Sequence, residues 1–210
     1  MSNHLWQRLG AACGIVYVVL LLGGPIIPNI QIAFLVEILA FLFFLFFLGN
    51  LWSALRRAEG GSGWLSATAF GGGLMSVTIK VASAAPVLAA HYRAGDGLDP
   101  QLARTLQDIN DASFYLSFFP LAVLLAAFAI VAIRSGALPK WLGWIAAALG
   151  LAFIVGGMSG SADLQYEWAG LPMILFLFWV IAVSVVLMRR AGVSRPAVSS
   201  AAVTPPSVAS

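Results

Sequence analysis

One lysine stands in the middle of an apolar stretch. Phe70 to Ala90 reads FGGGLMSVTIKVASAAPVLAA, with Lys80 near its centre. A charge at the centre of a membrane helix costs about 2.5–3.5 kcal/mol on insertion scales, so it needs a partner or a wet cavity. Ser76 and Ser83, at i−4 and i+3, share its helical face. Glu37 is an acid inside the preceding apolar segment. It lies nearer the outer end than Lys80, with a vertical offset of about 7 Å at about 1.5 Å per residue. A lysine reaching upward spans most of that distance. Glu37 and Lys80 are therefore candidates for a pair inside the bundle. The chemistry open to them is proton exchange or substrate binding. The competing reading is an ion pair that fixes helix register, or a lysine that snorkels to outer-leaflet water.

A second polar cluster comprises Asp108, Asn110, Asp111, Ser113, Tyr115 and Ser117. Asp111 and Tyr115 share one helical face. Pro120 leaves the carbonyl of Leu116 without its helical partner, to be satisfied by a polar group or water. The cluster could line an outward-open vestibule with Glu37 and Lys80 at its floor, or it could be interfacial solvation plus a helix cap. The candidate intramembrane polar site is thus Glu37, Lys80, Ser76, Ser83, Asp111 and Tyr115. A Ser–Lys dyad can be drawn from Ser76 or Ser83 with Lys80, but no oxyanion hole or substrate path is visible beside it. There is no Walker loop, dinucleotide fingerprint, His-Glu-x-x-His or Cys/His cluster. The single cysteine, Cys13, excludes an internal disulfide or a thiolate cage. His4 and His91 fall at opposite ends of their segments and cannot jointly hold a haem. The expectation is no enzyme activity, no cofactor and no metal.

These residues need apolar helices to hold them. Of the 210 residues, 61% are hydrophobic and 9% charged, and the mean hydropathy is +0.96. Soluble domains carry about 25% charged residues, so lipid is the expected solvent and the bilayer the first partner. Six segments are long enough to span: Leu9–Ile27, Ile32–Leu55, Trp64–Ala90, Ala112–Ile133, Trp141–Met158 and Leu171–Met188. Arg8 before the first resembles a signal peptide, but no small-x-small cleavage site follows, and an uncleaved helix is expected. Asp99-Pro100 marks the start of a short amphipathic helix on the outer surface, with Leu98, Leu102, Leu106 and Ile109 on one face. The fold class expected is an all-α, polytopic transmembrane bundle of six membrane helices plus that short outer helix. Residues 1–190 form one domain, and 191–210, small, polar and Pro-rich, a disordered cytoplasmic tail.

If the chain zigzags six times, Arg8, Arg56, Arg57, Arg134, Lys140, Arg189, Arg190 and Arg195 share one side. Arg93 and Arg104 lie on the other, with Asp96, Asp99, Asp108, Asp111, Asp163 and Glu167. The positive-inside rule then puts both termini in the cytoplasm. Trp6, Trp52, Trp64, Trp141 and Trp144 mark the inner interface and Trp168 the outer one, whereas Trp179 lies deep. Pro86 is expected to kink the third helix just above Lys80, and the same helix carries Gly71-Gly72-Gly73. Gly10-x-x-x-Gly14 and Gly156-x-x-x-Gly160 allow close helix contact. The Phe41–Phe47 run, FLFFLFF, is expected to face lipid or pack.

The stretch Arg134-Ser135-Gly136-Ala137-Leu138-Pro139-Lys140-Trp141-Leu142-Gly143-Trp144 resembles a loop in a broad group of uncharacterised bacterial integral membrane proteins. These are small and about six-helical, and a loop of the form Arg-Ser/Thr-Gly-x-Leu-Pro-Arg/Lys-Trp-Leu-Gly joins their fourth and fifth helices. The likeness covers about Asp99 to Gly157. It implies the fold and a bacterial plasma-membrane location, and brings no activity. The functional expectation is a non-enzymatic membrane protein with a structural, sensory or accessory role. A small transporter or channel-like protein using Glu37 and Lys80 is the alternative, and an intramembrane enzyme the third. A homo-oligomer or another membrane protein is a possible partner, and nucleic acid is not.

Overall fold

A computed structural model describes residues 3–93, 97–162 and 170–191. Every element among them is helical: α1 (Asn3–Gly23), a single 3-10 turn (Gly24–Ile26), α2 (Ile30–Glu59), α3 (Trp64–Arg93), α4 (Pro100–Leu116), α5 (Phe118–Ser135), α6 (Lys140–Ala162) and α7 (Leu171–Ala191). Counting α4 and α5 as one run, six of these are long and apolar enough to cross a membrane, the architecture of a multi-pass membrane protein. The expected sites at Asp96, Asp163, Glu167 and Trp168 lie outside the described residues, as does the tail from 192 onward.

Local chemistry sets the helix ends. Asn29 Oδ1 accepts from the amides of Gln31 (3.0 Å) and Ile32 (3.2 Å), capping α2. Asp99 Oδ1 does the same for α4 through Gln101 (3.0 Å), with Pro100 in the first turn. The α2–α3 turn is closed by its own side chains. The Glu59 carboxylate accepts from the amides of Leu65 (3.0 Å) and Ser66 (2.8 Å) at the start of α3, and Arg56 Nη1 donates to the Gly61 carbonyl at 2.9 Å. Gly136 ends α5 in the left-handed region, at φ 61°.

The helix break before the fourth span falls later than the sequence spacing suggests. The amphipathic helix runs on to Leu116 and α5 starts at Phe118, within a single run, Pro100–Ser135, that is long and apolar enough to span. Pro120 is the reason, since it has no N–H to donate to the Leu116 carbonyl. Ser117 sits at the junction, its hydroxyl donating to the Phe114 carbonyl at 2.6 Å. Asp111 and Tyr115 therefore belong to α4. By contrast, α3 stays helical through both Pro86 and the glycine triplet.

Small residues let the helices close up. α1 packs on α2 and α7, α3 on α2, α4 and α5, and α6 on α5 and α7. A Cβ on Gly72 would lie 2.6 Å from the Pro120 carbonyl oxygen and 3.0 Å from the Leu124 nitrogen, so α3 rests on the backbone of α5. Gly10 and Gly14 serve packing within this chain, against Asn50 and Phe47 of α2 and Ser184 of α7. Gly160 gives its space to the ring of Tyr115. On α2 the buried residues are Ala40, Phe41, Phe44, Phe47, Leu48, Leu51 and Leu55, a stripe at helical spacing. Phe46, on the other face, is 69% exposed. The deep Trp179 is 2% exposed. Its indole N–H donates to the Leu142 carbonyl at 3.3 Å and its ring meets Phe128 edge-on, with centroids 4.8 Å apart. Gln7, Arg57, Leu138 and Arg190 line one recess, so basic helix ends far apart in sequence meet at one end of the bundle.

Gly72 and its neighbour provide a matched test. Gly71 has nothing within 4 Å of an added Cβ. Gly72→Val is expected to lower stability by about 1–3 kcal/mol through overpacking, read as a lower Tm in detergent, whereas Gly71→Ala leaves Tm unchanged or raises it.

Candidate functional site

The site begins with α3, which carries Lys80 about 24 Å from its Trp64 end at about 1.5 Å per residue. Two cavities meet at this side chain. The outer one, about 300 Å³, lies among the end of α1, the start of α2, α3 and α4. Its polar wall consists of Glu37, Lys80, Gln107 and Asn110. The inner one, about 360 Å³, lies inside the bundle and is walled mainly by apolar and aromatic side chains, among them Tyr17, Phe41, Phe44, Phe114 and Phe176. Glu37 and Lys80 line both cavities, and so do Leu21 and Pro25. The two charges thus stand where the two cavities meet, with the side-chain amides on the outer side and the aromatic rings on the inner one.

Among the described residues neither charge is neutralised by an ion pair. Among the described residues no carboxylate oxygen lies within 4.0 Å of Lys80 Nζ. The ammonium instead sits over the Phe114 ring, 5.4 Å from its centroid. A cation over an aromatic face gains about 0.5–2 kcal/mol, more as water is excluded. That is less than the insertion cost of the charge, so the cavity has to supply the remainder. Glu37 and Lys80 are both half-buried.

A hydrogen-bonded chain ties α3 to α4 beside the outer cavity. Ser83 Oγ, 2.9 Å from the Lys80 carbonyl, also donates toward Asn110 Oδ1 at 3.2 Å. Asn110 Nδ2 donates to Asp111 Oδ1 at 3.4 Å, and Gln107 Nε2 donates to the same oxygen at 3.0 Å. Buried Ser83 is therefore a strut between helices. Ser76, also buried, lines the inner cavity. Neither hydroxyl is hydrogen-bonded to Lys80 Nζ among the described residues.

The structure brings together five of the six residues singled out in the sequence and sets Tyr115 apart. Glu37, Lys80 and Ser76 line the cavities, and Ser83 braces them. Asp111 lines neither cavity but holds Gln107 and Asn110, which line the outer one. Tyr115 is buried against Gly160 and meets Phe118 edge-on at 5.8 Å, lining neither cavity. Phe41, Phe44 and Phe114 were not legible as site residues. The only signal for the first two was their three-residue spacing, which is equally a packing pattern. Among the described residues no group of three His, Cys, Asp or Glu is placed to hold a metal ion.

Comparison with protein-family models, characterised proteins and solved structures finds no match. The resemblance at Arg134–Trp144 therefore rests on the loop itself.

The α3–α4 strut yields a double-mutant cycle. Ser83→Ala and Asn110→Ala are each expected to lower stability by about 0.5–1.5 kcal/mol. The double variant should lose less than the sum, because the two residues share one bond. Thermal unfolding of the four proteins in one detergent reads the coupling, and strict additivity would remove the strut.

Proposed function

We propose that this is a non-enzymatic, multi-pass protein of a bacterial plasma membrane, with both termini cytoplasmic. Its role is sensory or accessory, and it works by holding a small ligand between Glu37 and Lys80. The observation that carries this reading is that the two opposite charges line both cavities without touching each other. An ion pair that only fixed helix register would close on itself. Charges held apart beside open space are disposed to recognise something else. The basic ends gathered at one end of the bundle support the orientation, by the positive-inside rule.

Transport is the second reading, favoured by the way the outer cavity continues into the inner one at Lys80. The two readings separate in one preparation. Protein released from the membrane into mild detergent is expected to carry a bound small molecule in native mass spectrometry, and Lys80→Met to lose it while keeping the wild-type Tm. Wild-type proteoliposomes under a pH gradient should dissipate it no faster than empty ones. A proton flux abolished by Lys80→Met would replace binding by transport. A Lys80→Met protein indistinguishable in both assays would leave the lysine a purely structural role.

A further inference from the structure

The shape of the site restricts what it can take. The outer cavity offers a carboxylate, an ammonium and two side-chain amides, from Gln107 and Asn110. The inner cavity shares the two charges and Ser76 and is otherwise walled mainly by apolar and aromatic side chains, among them Phe41, Phe44 and Phe176. A small polar solute would satisfy the first and leave the second bare. A hydrocarbon would fill the second and offer nothing polar to either charge, which a low-dielectric setting penalises. An occupant that meets both demands has two charges of opposite sign at one end and a chain at the other.

The inner cavity is open at one place. Two of its wall residues, Leu22 near the end of α1 and Ile174 near the start of α7, are 57% and 52% exposed. The wall between these two helix ends is therefore not sealed by the surrounding side chains. A chain entering there need not cross the charged neck. Its space, about 360 Å³, matches roughly a dozen water volumes at about 30 Å³ each, room for one chain segment and not for a whole two-chain lipid.

We propose that the ligand of the Glu37–Lys80 site is a zwitterionic amphiphile of the ammonium–phosphate class. Its phosphate pairs with Lys80, its ammonium pairs with Glu37, and one acyl chain occupies the cavity lined by Phe41, Phe44 and Phe176. Gln107 and Asn110 supply neutral donors to the remaining phosphate oxygens. This assignment rests on the binding reading above and adds the class of ligand to it. The same charges could come from a lipid headgroup or from a free zwitterion, and the experiment tells the two apart.

Purified protein in lipid-free detergent is titrated with lysophosphatidylethanolamine and followed by native mass spectrometry. Lysophosphatidylglycerol of the same chain length and chain-free phosphoethanolamine are the comparison ligands. The first probe is expected to bind once per chain, and the other two at least about tenfold more weakly, as expected for loss of a charge-assisted contact or of the chain. Lys80→Met and Glu37→Gln should each weaken it by about tenfold or more. Val77→Phe fills the inner cavity without altering either charge and should remove the advantage of the chain. This variant keeps the test open if a charge variant fails to fold. Equal binding of the phosphatidylglycerol analogue, or indifference to Glu37→Gln, would overturn the zwitterion. Equal binding of phosphoethanolamine would overturn the chain. Either result leaves a Lys80-dependent ligand site in place. Failure of all three probes overturns this assignment alone if a Lys80-dependent molecule still co-purifies, and overturns the binding reading as well if none does.

Discussion

An ammonium group in the middle of an apolar helix bundle has to be solvated by something, and the arrangement of α2, α3 and α4 follows from that demand. The cost of the charge exceeds what the Phe114 face can return. Direct neutralisation by Glu37 is not used, since no carboxylate lies within 4.0 Å among the described residues. What remains is a polar space, and one is built there. α4 provides Gln107 and Asn110 at its edge, and the Ser83–Asn110–Asp111 chain holds α4 in place. The proline at 120 matters to this arrangement because it cannot donate to the Leu116 carbonyl and so marks the break between the amphipathic helix and α5.

Close packing elsewhere is what allows open space at this one place. Gly72 and Gly73 bring α3 onto α5, and Gly10 and Gly14 bring α1 between α2 and α7. The aromatic chain from Phe118 through Phe153 to Phe176 joins α5, α6 and α7, with centroid distances of 4.8 and 5.7 Å. Rigid rings along one side keep the apolar cavity from collapsing, because aromatic side chains bend at few torsions and resist shape change. Openness around Lys80 and density around Phe176 are thus two results of one packing scheme.

Much of this was legible in the residues. Apolar length gave the six spans, Asp99-Pro100 gave one helix start, and the lone charges at 37 and 80 marked the place to look. The end of the amphipathic helix fell later than the spacing suggested, at Leu116, because Ala112 to Leu116 is apolar enough to read either way and only Pro120 discriminates. Asn110 reaches Ser83 across 27 residues of sequence, a contact no local spacing encodes. Tyr115 shares the helical face of Asp111, yet its ring is claimed by the gap at Gly160. A helical face predicts neighbours along one helix and says nothing of which partner helix leaves room for a ring.

The central claim is that Lys80 stands in accessible polar space inside the bundle. In a Cys13→Ala background, Lys80→Cys reconstituted in liposomes can be exposed to a small, membrane-impermeant, positively charged thiol reagent. Met75→Cys, at a position 59% exposed on the same helix and lining neither cavity, serves as the reference. Modification at position 80 with little at 75 is the result expected of a wet cavity. Equal resistance at both positions would mean that the cation lies in oil without access to water, and the account would be wrong.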